Sequence, residues 1–189
     1  MMDKKRDQKG LTEQEFLEAY KKKNYPRPYL TADLVLLSDT GEVLLVQRKG
    51  HPFLGCWALP GGFAKADETV AETAVRELRE ETGAETAPEA LIPLGLYSKP
   101  GRDPRGWVVT QAYLAILPRG KVCPAAGDDA ADAAWFRLKL DREKRVWLEH
   151  DGLRLELNGA SSDLAFDHGE ILTAAYKLYF TKKKEWIYV

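Results

Sequence analysis

Cysteine is scarce in this chain: Cys56 and Cys123 are the only two among 189 residues, and they do not form a CxxC pair. A disulfide framework or a zinc knuckle needs more cysteines at closer spacing, so both thiols read as small packed residues. Histidine is almost as rare. His51, His150 and His168 share no spacing that would bring them to one site, and they read as non-catalytic. An excess of one charge is also missing, since 28 basic residues meet 29 acidic ones for a net charge of −1. That balance argues against nucleic-acid binding through a general basic surface. No apolar run approaches a membrane span, and the opening MMDKKRDQKG lacks the apolar core of a signal peptide. The expectation is a cytoplasmic protein with one well-cored domain and appendages.

What the chain does have is one dense segment, GFAKADETVAETAVRELREETGA, from Gly62 to Ala84. Asp67 is a suitable N-cap and Gly83 a suitable residue just past a helix end. Val70, Ala71, Ala74, Val75 and Leu78 recur at helical spacing and form a buried stripe. Glu77, Glu80 and Glu81 fall on a neighbouring arc. A solvated acidic face would account for pairs of Glu72 with Arg76 and of Arg76 with Glu80. It does not account for the rest. Glu77 and Glu81 are like charges four apart, which costs about 0.2–0.5 kcal/mol in an isolated helix. Glu80 and Glu81 also sit in the last turn, where the helix dipole disfavours anions, and no lysine on the helix offsets them. A divalent cation relieves both penalties, and carboxylate oxygens suit Mg²⁺ or Mn²⁺.

Elsewhere the pattern is mixed. Thr12 with Glu15 makes a capping box for a short helix ending before Asn24, after a charged and disordered stretch 1–10. Tyr25-Pro-Arg-Pro then reads as an extended linker. Leu30–Leu37 and Val43–Arg48 form a hairpin across Ser38-Asp-Thr-Gly, and Leu91–Ser98 and Trp107–Leu117 read as further strands. Trp135-Phe136 ends another short strand. Asp151-Gly152 is a strong signal for a second hairpin, and His168–Thr181 is an amphipathic helix before a solvated Lys182–Lys184. Periodicity alone supports α/β or α+β.

Gly62, Glu68, Arg76, Glu77, Glu80, Glu81 and Gly83 match the pattern G-x5-E-x7-R-E-U-x-E-E-x-G-U of the Nudix box at every polar and glycine position. The segment resembles the metal-binding motif of hydrolases that cleave a nucleoside diphosphate linked to another group. The resemblance implies a Nudix fold, a mixed β-sheet between helices with an added C-terminal hairpin and helix. It implies a tail and short helix over 1–27 and one domain over 28–189, with its core at 28–140 and the hairpin and helix at 141–189. Glu77, Glu80 and Glu81 would be carboxylate ligands, the Gly61 carbonyl another ligand, and Glu68 a water-mediated one. Arg76 would orient a glutamate. Bound Mg²⁺ or Mn²⁺ would neutralise phosphate charge and acidify an attacking water. The general base stays open between a box glutamate and a later loop acid such as Asp128, Asp129 or Asp132. Asp in such a place more often caps a turn.

Sixteen residues past Ala84 sits Pro100, within Ser98-Lys-Pro-Gly-Arg-Asp-Pro-Arg-Gly106. This stretch and Leu164-Ala-Phe-Asp-His-Gly-Glu170 resemble segments of bacterial ADP-ribose pyrophosphatases and related regulators of NAD metabolism. The resemblance implies hydrolysis of ADP-ribose to AMP and ribose 5-phosphate, with Pro100 marking the subgroup. Arg102 and Arg105 could meet phosphate oxygens bidentately or stay solvated in a surface turn. Arg48 and Lys49 are further candidates for phosphate or ribose, and Phe53 and Trp57 for shaping a pocket. NADH, another ADP-sugar or an oxidised nucleotide is the alternative substrate. A non-catalytic ADP-ribose sensor fused to a winged helix-turn-helix is the alternative class, although no basic recognition helix follows residue 140. The partners expected are a nucleoside diphosphate derivative and a second copy in a homodimer, with no nucleic acid and no membrane.

Overall fold

The computed structural model describes residues 5–122, 130–140, 146–157 and 163–186. Helix α1 (Glu13–Lys21) carries the expected capping box of Thr12 and Glu15. It buries none of its side chains, so Phe16, Leu17 and Tyr20 stay exposed. The charged segment before it is more ordered than its composition suggests over residues 5–10. Arg6 bridges Thr12, and the Asp7 carboxylate accepts the N–H groups of Lys9 and Leu11.

The centre is a nine-stranded mixed sheet. Strands β1 (Tyr29–Ser38) and β2 (Glu42–Arg48) form the expected hairpin, with Leu36 opposite Leu44. On its other side β1 runs parallel to β6 (Val108–Leu117), which pairs antiparallel with β5 (Ile92–Tyr97) at one edge. Beyond β2 lie β7 (Ala130–Leu140), β8 (Val146–His150) and β9 (Leu153–Glu156), all antiparallel. The short β3 (Trp57–Ala58) and β4 (Gly61–Phe63) attach to β2 and β1. The second hairpin turns at Asp151 and Gly152, both with positive φ. It continues the main sheet.

Both faces of the sheet are covered, which explains the near-continuous apolar run of β1. Ala32, Leu34 and Leu36 meet α2 (Val70–Thr82) through Ala74 and Leu78. Val35 and Leu37, on the opposite face, share a cluster with Ile171, Leu172 and Ala175 of α3 (His168–Trp186). The C-terminal helix is therefore the second covering layer of the sheet.

Two local expectations change. The N-cap of α2 is Thr69 in place of Asp67, because Thr69 and Glu72 satisfy each other reciprocally in a capping box. Glu72 is thereby spent on the cap, and Arg76 turns to other acids. Strand β7 is longer than the short strand expected. It takes in Asp132, which stands opposite Gln47 on the sheet, where a loop acid was expected. Asp128 and Asp129 lie outside the described residues.

Phe136 of β7 is fully buried and meets Trp57 edge to face, with ring centroids 4.8 Å apart. Phe136→Ala is expected to cost about 3–5 kcal/mol. The check is a lower urea midpoint with unchanged slope. A loss below about 1 kcal/mol would mean that this core closes over the gap without penalty.

Candidate active site

The site begins with two glycines. Gly61 and Gly62 lie in β4 opposite Asp33 and Ala32 of β1, which fixes their backbone beneath α2. A Cβ on Gly62 would overlap the Glu77 carboxylate, so only glycine lets that carboxylate rest against the strand. The N–H of Gly61 donates to Glu81 Oε2 at 3.0 Å. Two glutamates of the helix thus converge on one dipeptide.

Arg76 accounts for the remaining acids of the segment. Its fork donates to Glu68 at 2.7 and 2.9 Å, to Glu77 at 2.6 Å, to Glu80 at 3.0 Å and to the Phe63 carbonyl at 3.1 Å. That grip holds the Glu68 carboxyl down to about 2. Burial pushes Glu77 up, more strongly than Arg76 pulls it down. Glu81 is different, since no hydrogen bond or ion pair joins it to Arg76 among the described residues. Burial raises it to about 8 despite the Gly61 N–H, and the charges of Glu77 and Asp33 add to the rise.

Glu77 and Glu81 open into a cleft of about 740 Å³. Glu68 and Glu80 do not line it. Glu68 holds Arg76, and the side chain of Glu80 is half exposed on the outer side. The facing wall carries Arg48, Lys49, Arg102, Arg105, Phe166 and His168. Arg105 pairs with Asp103 at 2.6 Å and lies 4.9 Å from the Phe63 ring and 5.5 Å from that of Phe166. Arg48 lies 5.1 Å from the Phe166 ring and donates to the Pro52 carbonyl. Phe53 packs on Phe166 behind this wall, and Trp57 belongs to the core.

Arg102 behaves differently from its neighbour. Its side chain is 4% exposed and its fork closes bidentately on Asp167 at 2.6 and 2.8 Å. A desolvated guanidinium needs such a partner, and here it comes from the start of α3. Pro100 stands on the exposed part of the same loop and does not line the cleft. His168 is buried and accepts the Leu59 N–H on Nδ1 at 2.9 Å. Burial depresses its basicity, so the ring is neutral.

Sequence reasoning missed Asp33, Phe63, Asp103 and Phe166 as parts of this site. Phe63, Asp103 and Phe166 lie in the segments Gly62–Ala84, Ser98–Gly106 and Leu164–Glu170, which the sequence singles out, but nothing local marks those three side chains within them. Asp33 had a signal: it is the only charged residue in the apolar run Leu30–Leu37.

The donors suit a hard divalent ion. Among the described residues no three acids form a ready-made cage. Mg²⁺ does not require one, because it keeps several waters and is held by one or two carboxylates plus substrate phosphates. Glu81 is half-buried beside a glycine cradle with no cation in hydrogen-bonding or ion-pair distance among the described residues, and Glu77 lies against that cradle. These residues fit the ion.

Comparison with known proteins agrees with this geometry. A NUDIX domain profile matches residues 27–153. An ADP-ribose pyrophosphatase of Methanocaldococcus jannaschii is 40% identical over 148 residues, covering 75% of this chain and 83% of that protein. The ADPR responsive transcriptional repressor NtrR of Acinetobacter baylyi is 34% identical over 170 residues, covering 87% of this chain. The chain spans 60% of that repressor's length. A MutT/nudix family protein from Enterococcus faecalis superposes with a TM-score of 0.77 at 38% identity, over 90% of this chain and 70% of that one. The chain belongs to the Nudix family, and it is a Nudix hydrolase.

Proposed function

We propose that the chain hydrolyses the diphosphate of ADP-ribose to AMP and ribose 5-phosphate, with Mg²⁺ or Mn²⁺ as cofactor. The observation that carries this reading is one cleft holding Glu77 and Glu81 on one side and Arg48, Arg105 and Phe166 on the other. A diphosphate resists attack by water because its oxygens are negative. Glu77 and Glu81 would hold a divalent ion, which would supply the charge that neutralises those oxygens and acidifies a water. Arg76 keeps the Glu77 carboxylate aimed, and the Gly61 N–H does the same for Glu81. Arg105 exchanges Asp103 for a phosphate oxygen, since its fork fits either anion. Phe63 and Phe166 offer faces to the base. Arg102 holds the loop that carries Arg105 by its bond to Asp167. The named activity of the Methanocaldococcus jannaschii relative supports ADP-ribose over other substrates.

A second reading is favoured by the likeness to NtrR, whose name makes it an ADPR responsive repressor. In that reading the same cleft binds ADP-ribose without turnover. A salt-dependent gel shift with no AMP release would support it.

Purified protein with Mg²⁺ is expected to release AMP from ADP-ribose in preference to NADH, ADP-glucose, diadenosine diphosphate and dNTPs. Silence on ADP-ribose and the other ADP-sugars would sink the proposal. Glu81→Gln should lower kcat by orders of magnitude while leaving the thermal midpoint within a few degrees of wild type. Full activity in that variant would remove Glu81 from the ligand set.

Metal-free protein should lose stability as pH rises. Between about 4.5 and 8 the folded Glu81 holds a proton that the unfolded chain has released, so stability falls with pH across that window. Glu68 works the other way and its contribution fades only below about pH 4, as its carboxyl protonates toward its depressed value. Melting in chelator at pH 5, 6.5 and 8 should show the decline, and Glu81→Gln should flatten it. A flat wild-type profile would show that Glu81 ionises freely in the fold.

A further inference from the structure

Strand β1 changes character along one face. Its positions facing α3 read Thr31, Asp33, Val35 and Leu37, with Val35 and Leu37 in the core and the two polar residues on the cleft. Asp33 is 8% exposed. Among the described residues no donor lies within hydrogen-bond distance of its carboxylate. Arg102 Nη2 stands 3.6 Å from Oδ2 and His168 Nε2 stands 3.7 Å from Oδ1. Because Nδ1 of His168 accepts the Leu59 N–H, the neutral ring carries its proton on Nε2, the nitrogen nearer Asp33. Both donors steady the carboxylate and neither uses its lone pairs.

A carboxylate taken out of water without a hydrogen bond is costly, and apolar neighbours on this strand show that the fold does not need it. Two occupations suit it. A metal ion is one, but the glutamates of α2 already supply the hard anionic donors, and Asp33 is engaged with a cation through Arg102. The other is a pair of hydroxyl donors. A carboxylate accepts two adjacent hydroxyls at once, the chemistry by which acidic side chains hold the ribose of dinucleotides. Gly61 lies directly against Asp33, where a Cβ would collide with its side chain, so such a sugar would sit next to the glycines and glutamates that face the diphosphate.

We propose that Asp33 is a substrate-binding residue that accepts the vicinal hydroxyls of a ribose in the cleft, with Arg102 and His168 as its positioning partners. This rests on the reading of the cleft as a hydrolase site for a ribose-containing diphosphate. It makes Asp33 a determinant of specificity for the sugar, separate from the acids that serve the phosphate.

The test pairs each product with its deoxy analogue as a competitive inhibitor of ADP-ribose hydrolysis: ribose 5-phosphate with 2-deoxyribose 5-phosphate, and AMP with 2′-deoxyAMP. In wild type, one deoxy analogue should inhibit about tenfold more weakly than its parent, and that pair identifies which ribose Asp33 holds. In Asp33→Asn this difference should vanish, KM for ADP-ribose should rise about tenfold, and kcat should change less than about threefold. Equal inhibition within both pairs in wild type would overturn the proposal. So would a collapse of kcat at unchanged KM in Asp33→Asn, which would assign the carboxylate to the reacting phosphate. Asp33→Ser serves where Asp33→Asn does not fold, and the wild-type comparison needs no variant. If ADP-ribose is not cleaved, the functional reading fails by itself, and the same inhibitor pairs are run against whichever diphosphate is.

Discussion

Most of the carboxylate arrangement on the box side of the site depends on the guanidinium of Arg76. One side chain answers three carboxylates and the Phe63 carbonyl, and in doing so joins the loop before α2 to the helix itself. It lets Glu77 and Glu80 of the helix and Glu68 of the preceding loop lie within reach of one another without their mutual repulsion opening the turn. Arg76 becomes a correspondingly weaker acid as these anions favour its charged form. Such a cation is a poor substrate contact, because its donors are already committed to the protein. Its role is to hold charge in place for others.

This alters the electrostatic argument that the sequence invites. Glu77, Glu80 and Glu81 crowd one arc of the helix, and Arg76 compensates the first as well as the second. The strain concentrates on Glu81, which Arg76 does not reach and which burial raises to about 8. Glu81 is held only by a neutral N–H from Gly61. A desolvated carboxyl that no cation contacts among the described residues, with only the charge of Arg48 acting on it from a distance, is a sharper indication of a metal than a generally acidic face. It also explains why the two glycines matter together: one donates to Glu81, and the other leaves room for Glu77.

The strands and turns were legible in the sequence because their signals are local. Period-two alternation, Asp151-Gly152 and the capping box at Thr12 each depend on residues within a few positions. The Nudix box was legible for the same reason. The facing wall was not. Arg102 and Arg105 are three apart in one loop and look equivalent, yet one fork closes on Asp167, 65 residues away, and the other on its neighbour Asp103. Only the packing of α3 over the sheet decides which arginine is desolvated. Thr69 displaced Asp67 as the N-cap because Glu72 was available to complete the reciprocal pair. Asp33 was in plain sight as a charge in an apolar run, but a strand buried on both faces hides which side a polar residue serves.

The two halves of the site obey different physical rules. On the box side, spacing along one helix sets the geometry, so substitution there changes charge at fixed positions. On the facing side, geometry comes from contacts among β1, the loop after β5 and the start of α3, and the Arg102–Asp167 pair is the tie between the last two. That pair is buried, so removing either partner leaves the other charge without water or counter-ion, a penalty larger than that of losing an exposed contact. The loop carrying Arg105 is therefore fixed by the C-terminal helix more than by its own proline and glycines. A chain with this box can keep its chemistry while changing what it accepts, provided that changes fall on the surface of that wall. In the proposed function, the chemistry would rest on thirteen residues of one helix and the dipeptide beneath it. Under the same proposal, substrate choice would be distributed over three segments that meet only in the folded protein.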